Sequence, residues 1–269
     1  ATGYGLTHGI HTRIDEKVEE DVRTVRAGNI YVNRNIVGAV VGVQPFGGHG
    51  KSGTGPKAGG PLYLHRLVRS ERPPELHGEA VPVAFDALRA LEAALPQLTE
   101  LPAGQRNRLQ TRIRLYRAAS PLNVKLPLVG PTGEDNSLWF GPRGTLGCHA
   151  PTLQRLLEQL AAVWATHNRA LVQDDELGRR LVRLIEHPDI AFTQDLVGAE
   201  IDALLYAGPA ELADELRRSL ARRDGPIVPL ILEQRDGSYD LHRLVIEKAV
   251  SINTTAAGGN AALMSLEGD

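Results

Sequence analysis

The stretch QPFGGHGKSGTGPKAGG, Gln44 to Gly60, restricts this chain more than any other. Glycine and proline at this density exclude a helix or a long strand, because they remove side-chain packing and backbone donors from any regular element. A glycine-rich loop that ends in Gly50-Lys51-Ser52 invites comparison with a phosphate cradle. The cradle requires a glycine five residues before the Gly-Lys pair, and that position is Pro45, which has no N–H to offer. Gly53, Gly55, Pro56, Gly59 and Gly60 then prevent the helix whose N-terminus would hold the anion. The stretch reads as a close-packed structural loop.

The remainder of the chain divides by texture. Residues 1–70 form one unit. Asp15 to Ala27 carries Val18, Val22 and Val25 at helical spacing, Gly28 stops the helix, and NIYVN (29–33) reads as a short buried strand. Residues 71–82, within SERPPELHGEAVP, read as a linker. Beyond it, Phe85–Leu95 and Gln105–Ala118 predict amphipathic helices, the second with an arginine-rich, solvated face. Residues 123–144 resemble strand, turn and strand. Thr152–Val172 predicts one long helix. DALLYA (202–207), the helical pattern of 210–223 with Leu212, Leu216 and Leu220, and PIVPLILE (226–233) predict a βαβ unit with parallel strands. Its turn lacks the spaced glycines of a dinucleotide fingerprint. Residues 83–249 are therefore expected to be an α/β domain without a working nucleotide site. The tail 250–269, small and polar, is either frayed or a docking segment.

Composition narrows the function classes. A net charge of −2 gives no reason to expect nucleic acid as a partner. The single cysteine, Cys148, excludes an internal disulfide and a cysteine-built zinc site and suits a reducing cytoplasm. It reads as a buried structural thiol, and His149 beside it as no catalytic partner. His8 and His11 have no third ligand in view, and Asp174, Asp175 and Glu176 read as a solvated acidic loop. No metal site and no catalytic residue is expected. Met264 is the only methionine and the chain opens as if in mid-domain, so it is expected to be the C-terminal piece of something longer.

GYGLTHGIHT, AGNIYVNRN and PFGG together resemble the closing pattern of the aldehyde dehydrogenase superfamily. The longer run from Ala27 to Leu67 is similar to the L-glutamate γ-semialdehyde (1-pyrroline-5-carboxylate) dehydrogenase module of the bifunctional proline utilization A family. VSINTTAAGGNAALM resembles the C-terminal motif of that family's long members. The fold class implied is α/β, an aldehyde dehydrogenase C-terminal segment followed by a degenerate Rossmann-like domain. The resemblance implies a parent that oxidises proline to glutamate, with FAD in one module and NAD in the other, neither bound by this chain alone. The parent would be a cytoplasmic homo-oligomer, with peripheral contact to the inner membrane left open.

By position, Val37-Gly38-Ala39 would be the anchor loop for the substrate's α-carboxylate, binding it through the amides of Gly38 and Ala39. Phe46 would pack beside the substrate's aliphatic chain. His49 and Lys51 depart from the pattern and are expected to be exposed. The family's catalytic cysteine lies upstream of this pattern, so the chain alone is expected to be inactive. Residues 83–249 would act as a lid or assembly domain and 250–269 as a docking motif. The alternative is an independent non-catalytic binding or oligomerisation module that reuses the fold.

Overall fold

A computed structural model describes residues 2–68 and 74–255. The chain opens with two short strands, β1 (Tyr4–Gly5) and β2 (Thr7–Ile10). Helix α1 (Asp15–Thr24) follows, with Asp15 and Glu16 at its positive end and Arg23 in its last turn. The next strand, β3 (Asn29–Val32), is buried at every residue, which marks it as a central strand. Burying Ile30 and Val32 contributes roughly 1.5–3 kcal/mol each. After the glycine-rich loop, which holds β4 (His49–Gly50), come α2 (Pro61–His65), β5 (Glu79–Ala80), α3 (Asp86–Ala94) and α4 (Ala103–Ala119). Helix α4 buries Leu109, Ile113 and Tyr116, one face at helical spacing.

Strands β6 (Val124–Leu128) and β7 (Glu134–Pro142) form the expected antiparallel pair. A doubly wound unit then runs β8 (Thr145–His149), α5 (Leu153–Trp164), β9 (Arg169–Gln173), α6 (Glu176–Leu184), β10 (Ile190–Thr193), β11 (Ala203–Tyr206), α7 (Ala210–Ala221) and β12 (Leu230–Leu232). Its sheet has the order β10-β9-β8-β11-β12 and is parallel throughout. This is the strand order of a mononucleotide-binding α/β fold, with its switch point between β8 and β11. Alternation along the strands separates two cores. Leu146, Cys148, Val172 and Leu205 face the larger one, with α5, while Leu171, Leu204 and Tyr206 face the smaller one, with α7.

The last strand, β13 (Val245–Asn253), decides the architecture. It runs parallel to β3 and antiparallel to β7, at the centre of a six-stranded sheet ordered β2-β3-β13-β7-β6-β5. Residues 1–70 and the region beyond the linker thus share one sheet. Residues 250–253, grouped with the tail on sequence, complete β13, and the rest of that motif from residue 256 lies outside the described residues.

Three sequence expectations are corrected. The long helix expected over 152–172 ends at Trp164. His167 then takes a left-handed φ of 55°, and Arg169–Gln173 is the buried strand β9, because a short apolar run does not by itself distinguish helix from strand. Asp174 and Asp175 form the expected solvent-facing bend, but Glu176 already belongs to α6, which Asp175 caps by accepting the Gly178 N–H on Oδ1 at 2.8 Å. In α7 the buried face is Ala213, Leu216 and Leu220, while Leu212 is 36% exposed.

Cations donating to backbone carbonyls hold the two regions together. Lys248 Nζ reaches Val22 O at 2.7 Å and Arg23 O at 3.1 Å, carbonyls at the negative end of α1. Arg143, buried, donates to Thr54 O, Arg243 O and Val245 O. Lys57, also buried, donates to Asn29 Oδ1 at 3.1 Å and to Gly47 O, and its backbone N–H donates to Glu247. The glycine-rich stretch is therefore a packed structural loop.

Candidate functional site

The loop between β3 and β4 leaves the sheet at Asn33, whose φ of 56° turns the chain outward. Its side chain accepts the Thr12 N–H at 3.0 Å and donates to Thr12 O at 2.9 Å, which pins the foot of the loop. Asn35 Oδ1 accepts the Val37 N–H at 3.1 Å. Gly38 then takes a φ of +69°, a backbone state that side chains resist, in open space. On the far side the Val43 and Gln44 N–H groups donate to Val40 O at 3.1 and 3.0 Å.

The result is a projecting turn in which, among the described residues, several backbone donors are free, those of Ile36, Val41 and Gly42 as well as those of Gly38 and Ala39. Among the described residues, neither the Gly38 nor the Ala39 N–H has a hydrogen-bond partner, whereas those of Val37 and Val40 do. Val37 is 83% exposed and Val41 99%, with Ile36 and Val40 exposed beside them. Two adjacent unpaired amides in a tight turn form a concavity suited to an anion. Phe46 stands at the exit of the loop, two residues past Gln44 and partly exposed, and pairs with Ala58 through two 2.9 Å backbone bonds. The structure thus gathers Gly38 and Ala39 in one turn and sets Phe46 at its foot.

Beneath the loop lies a polar cluster that sequence reading missed. Arg34 donates to Glu134 Oε1 at 2.9 Å and Ser251 Oγ at 2.7 Å, and Gln44 Nε2 donates to Glu134 Oε2 and Asn136 Oδ1, both at 3.1 Å. Glu134 and Asn136 belong to β7 and Ser251 to β13. They lie ninety or more positions from Gln44 in sequence, and no local pattern signals the pairing.

The other residues singled out on sequence fall as follows. His49 was expected to be exposed and is 7% exposed. Arg26 donates to its Nε2 from both Nε and Nη2, at 3.2 and 2.8 Å, and the same guanidinium reaches Asp202 at 2.8 Å. Burial, and then the Arg26 charge, hold the His49 pKa down at about 4. Lys51 lies exposed over the Tyr4 ring. Cys148 is buried and its thiol is pushed up to about 12 by burial, so it is not a nucleophile. His149 points to the opposite side of β8, against the Tyr206 ring at 5.3 Å. His8 pairs with Asp21 at 3.1 Å, and no metal-binding cluster exists among the described residues. Four of the five arginines of α4 have internal partners: Arg112 pairs with Asp236, Arg114 and Arg117 with Glu92, and Arg106 donates to Leu98 O, while Arg108 is exposed.

The switch-point crevice at the C-terminal ends of β8 and β11 does not suit a dinucleotide. Its first turn, His149-Ala150-Pro151-Thr152, lacks the glycines that let a pyrophosphate approach. The His149 and Tyr206 rings meet across it, and the Tyr206 hydroxyl donates to Pro209 O at 2.8 Å, over Gly208. Among the described residues no helix is long and apolar enough to cross a membrane.

Strand β3, the projecting loop and the packed glycine-rich stretch all lie in the segment where this chain resembles aldehyde dehydrogenases. The aldehyde dehydrogenase family matches residues 1–71. Across its whole length the chain is homologous to the C-terminal region of bifunctional PutA proteins. The PutA of Escherichia coli (strain K12) is 41% identical over 278 residues, which cover 99% of this chain and 21% of that protein. The chain thus spans about a fifth of the length of such relatives. The 1-pyrroline-5-carboxylate dehydrogenase 1 of Halalkalibacterium halodurans is 45% identical over 76 residues, 28% of this chain and 15% of its own length. The solved PutA of Corynebacterium freiburgense shares the fold, with a TM-score of 0.59 at 24% identity, covering 94% of this chain and 23% of that one.

Proposed function

We propose that this chain supplies the substrate-carboxylate anchor of an L-glutamate γ-semialdehyde dehydrogenase, as part of a PutA-type polypeptide that oxidises proline to glutamate. The observation that carries this reading is the pair of unpartnered amides at Gly38 and Ala39 in an exposed left-handed turn. They would donate to the two oxygens of the α-carboxylate, and Phe46 would lie along the aliphatic chain. Hydrogen bonds to a charged acceptor contribute about 1.5–3 kcal/mol each.

NAD would supply the hydride acceptor for the aldehyde and FAD that for proline, each held by other parts of the polypeptide. The only cysteine here is buried with a raised pKa, so this chain by itself does not catalyse the oxidation. Residues 83–249 act as a lid or assembly domain built on an α/β scaffold, and 250–269 as its docking motif. The division at 71–82 is one of ancestry, since both sides contribute to the sheet around β13.

The test follows NADH formation from 1-pyrroline-5-carboxylate in a PutA-length polypeptide that carries this segment. Gly38→Trp and Ala39→Trp should each raise KM at least about tenfold, with kcat little changed, because the lost contacts serve binding. Residues 1–269 alone should produce no NADH. An inactive full-length polypeptide, or an unchanged KM in both variants, overturns the reading.

A further inference from the structure

We infer that Gln44 is the positioning residue of the anchor turn, and that its seat is built from beyond the linker, by Glu134 and Asn136 of β7 and Ser251 of β13. The inference rests on the anchor reading above and extends it to the residues that tune carboxylate affinity.

Gln44 is 4% exposed and grips Val40 at both ends of the residue. Its Oε1 accepts the Val40 N–H at 2.8 Å, and its own backbone N–H donates to Val40 O at 3.0 Å. Val40 directly follows Ala39, so the first bond holds the Ala39–Val40 peptide and the second the Val40–Val41 peptide, and together they fix the C-terminal side of the anchor. The side-chain amide can present Oε1 to Val40 only if its nitrogen faces acceptors. Glu134 Oε2 and Asn136 Oδ1, each at 3.1 Å, and Ser251 Oγ at 3.4 Å supply them.

The carboxylate is decisive among these acceptors, because it cannot accept from the oxygen end of the amide and so sets the amide's direction. Arg34 locks it in turn, bonded to Glu134 and Ser251 and lying over the Tyr31 ring at 4.8 Å. The turn after β6 closes tightly over the cluster, since a Cβ on Gly130 would fall 2.1 Å from Asn136 Nδ2. The free amides of Gly38 and Ala39 are thus preorganised by a chain of hydrogen bonds that ends in two strands of the other region. Preorganisation lowers the cost of ordering the turn when the anion binds.

The test compares two aldehydes in the PutA-length polypeptide carrying this segment: the semialdehyde, which bears an α-carboxylate, and propanal, which does not. Gln44→Met should raise KM for the semialdehyde about five- to tenfold, the worth of one lost ordering hydrogen bond, with kcat and the KM for propanal within about twofold. Asn136→Ala should move the same ratio in the same direction by about two- to fivefold, and the double variant should be no worse than Gln44→Met alone, since the residues act in one chain. Ser251→Ala serves as a further probe should Gln44→Met fail to fold, as judged by its thermal midpoint. Equal losses on both aldehydes would show a merely structural role and overturn the inference. So would unchanged ratios in these variants of an enzyme that prefers the semialdehyde. An unaltered enzyme with no preference between the two aldehydes would instead sink the anchor reading beneath it.

Discussion

His49 shows how a residue within a recognisable loop acquires a role its sequence context does not state. Its Nε2 accepts two contacts from Arg26, which requires a lone pair and therefore the neutral ring. The folded pKa of about 4 lies below the ordinary 6.5, so the folded state binds the proton more weakly than the unfolded chain does. The stability gained by keeping the ring neutral is complete above pH 6.5 and is lost as the pH falls through about 4. The shift sets an upper bound of about 3 kcal/mol on this contribution. Urea titrations of the 269-residue chain at intervals from pH 7 to pH 4 should show stability falling more steeply than in His49→Gln, which keeps an acceptor for Arg26. Parallel curves would mean that His49 does not carry the difference. At this scale Cys148 was legible, because a lone cysteine in an apolar strand has little else to do. His49 was not, since a histidine between glycines carries no mark of the arginine and aspartate that enclose it.

Among elements, legibility followed periodicity. Helices α1, α3, α4 and α7 and the strands β3, β11 and β12 were foreseen close to their positions, since each has an apolar face or a short buried run bounded by breakers. Helix α6 and strands β9 and β10 were missed. They are short, and ALV in β9 continues the pattern of α5 without a proline or glycine between them. Gly28 illustrates an element boundary whose meaning is tertiary. On sequence it stops α1. In the fold its N–H donates to Gly5 O at 3.0 Å, its carbonyl accepts from Ala249 of β13 at 2.9 Å, and a Cβ there would fall 1.9 Å from Gly47 O. Gly28→Ala should therefore cost about 3 kcal/mol or more, far above the few tenths typical of an exposed loop change. Chemical denaturation measures this, and a loss below about 1 kcal/mol would mean the backbone yields there.

For the whole molecule the question is whether the two regions stand apart. The six-stranded sheet, the Lys57 backbone N–H bound to Glu247, and the cations that cross between them, Lys248, Arg143 and Arg26, join them through backbone as well as side chains. A protease site inserted among residues 74–77 should yield, after cutting, two pieces that elute together and part only in denaturant. Separation under native conditions would show that the shared sheet does not hold them. The turn proposed as the anchor was read from resemblance, and Gly38 at its left-handed φ is the physical reason the sequence could mark a turn there. The residues that seat it were beyond reach, because Gln44, Glu134, Asn136 and Ser251 meet only when β13 inserts between β3 and β7. By itself, then, the sequence determined the α/β class, the helices and strands with strong periodicity, and the glycine-bearing turn at Gly38, since these depend on local backbone preference and apolar spacing. Only the tertiary structure decided the central place of β13, the burial of His49 and Lys57, and the polar seat under the anchor. Each of those rests on hydrogen bonds between residues far apart in the chain, which no local pattern encodes.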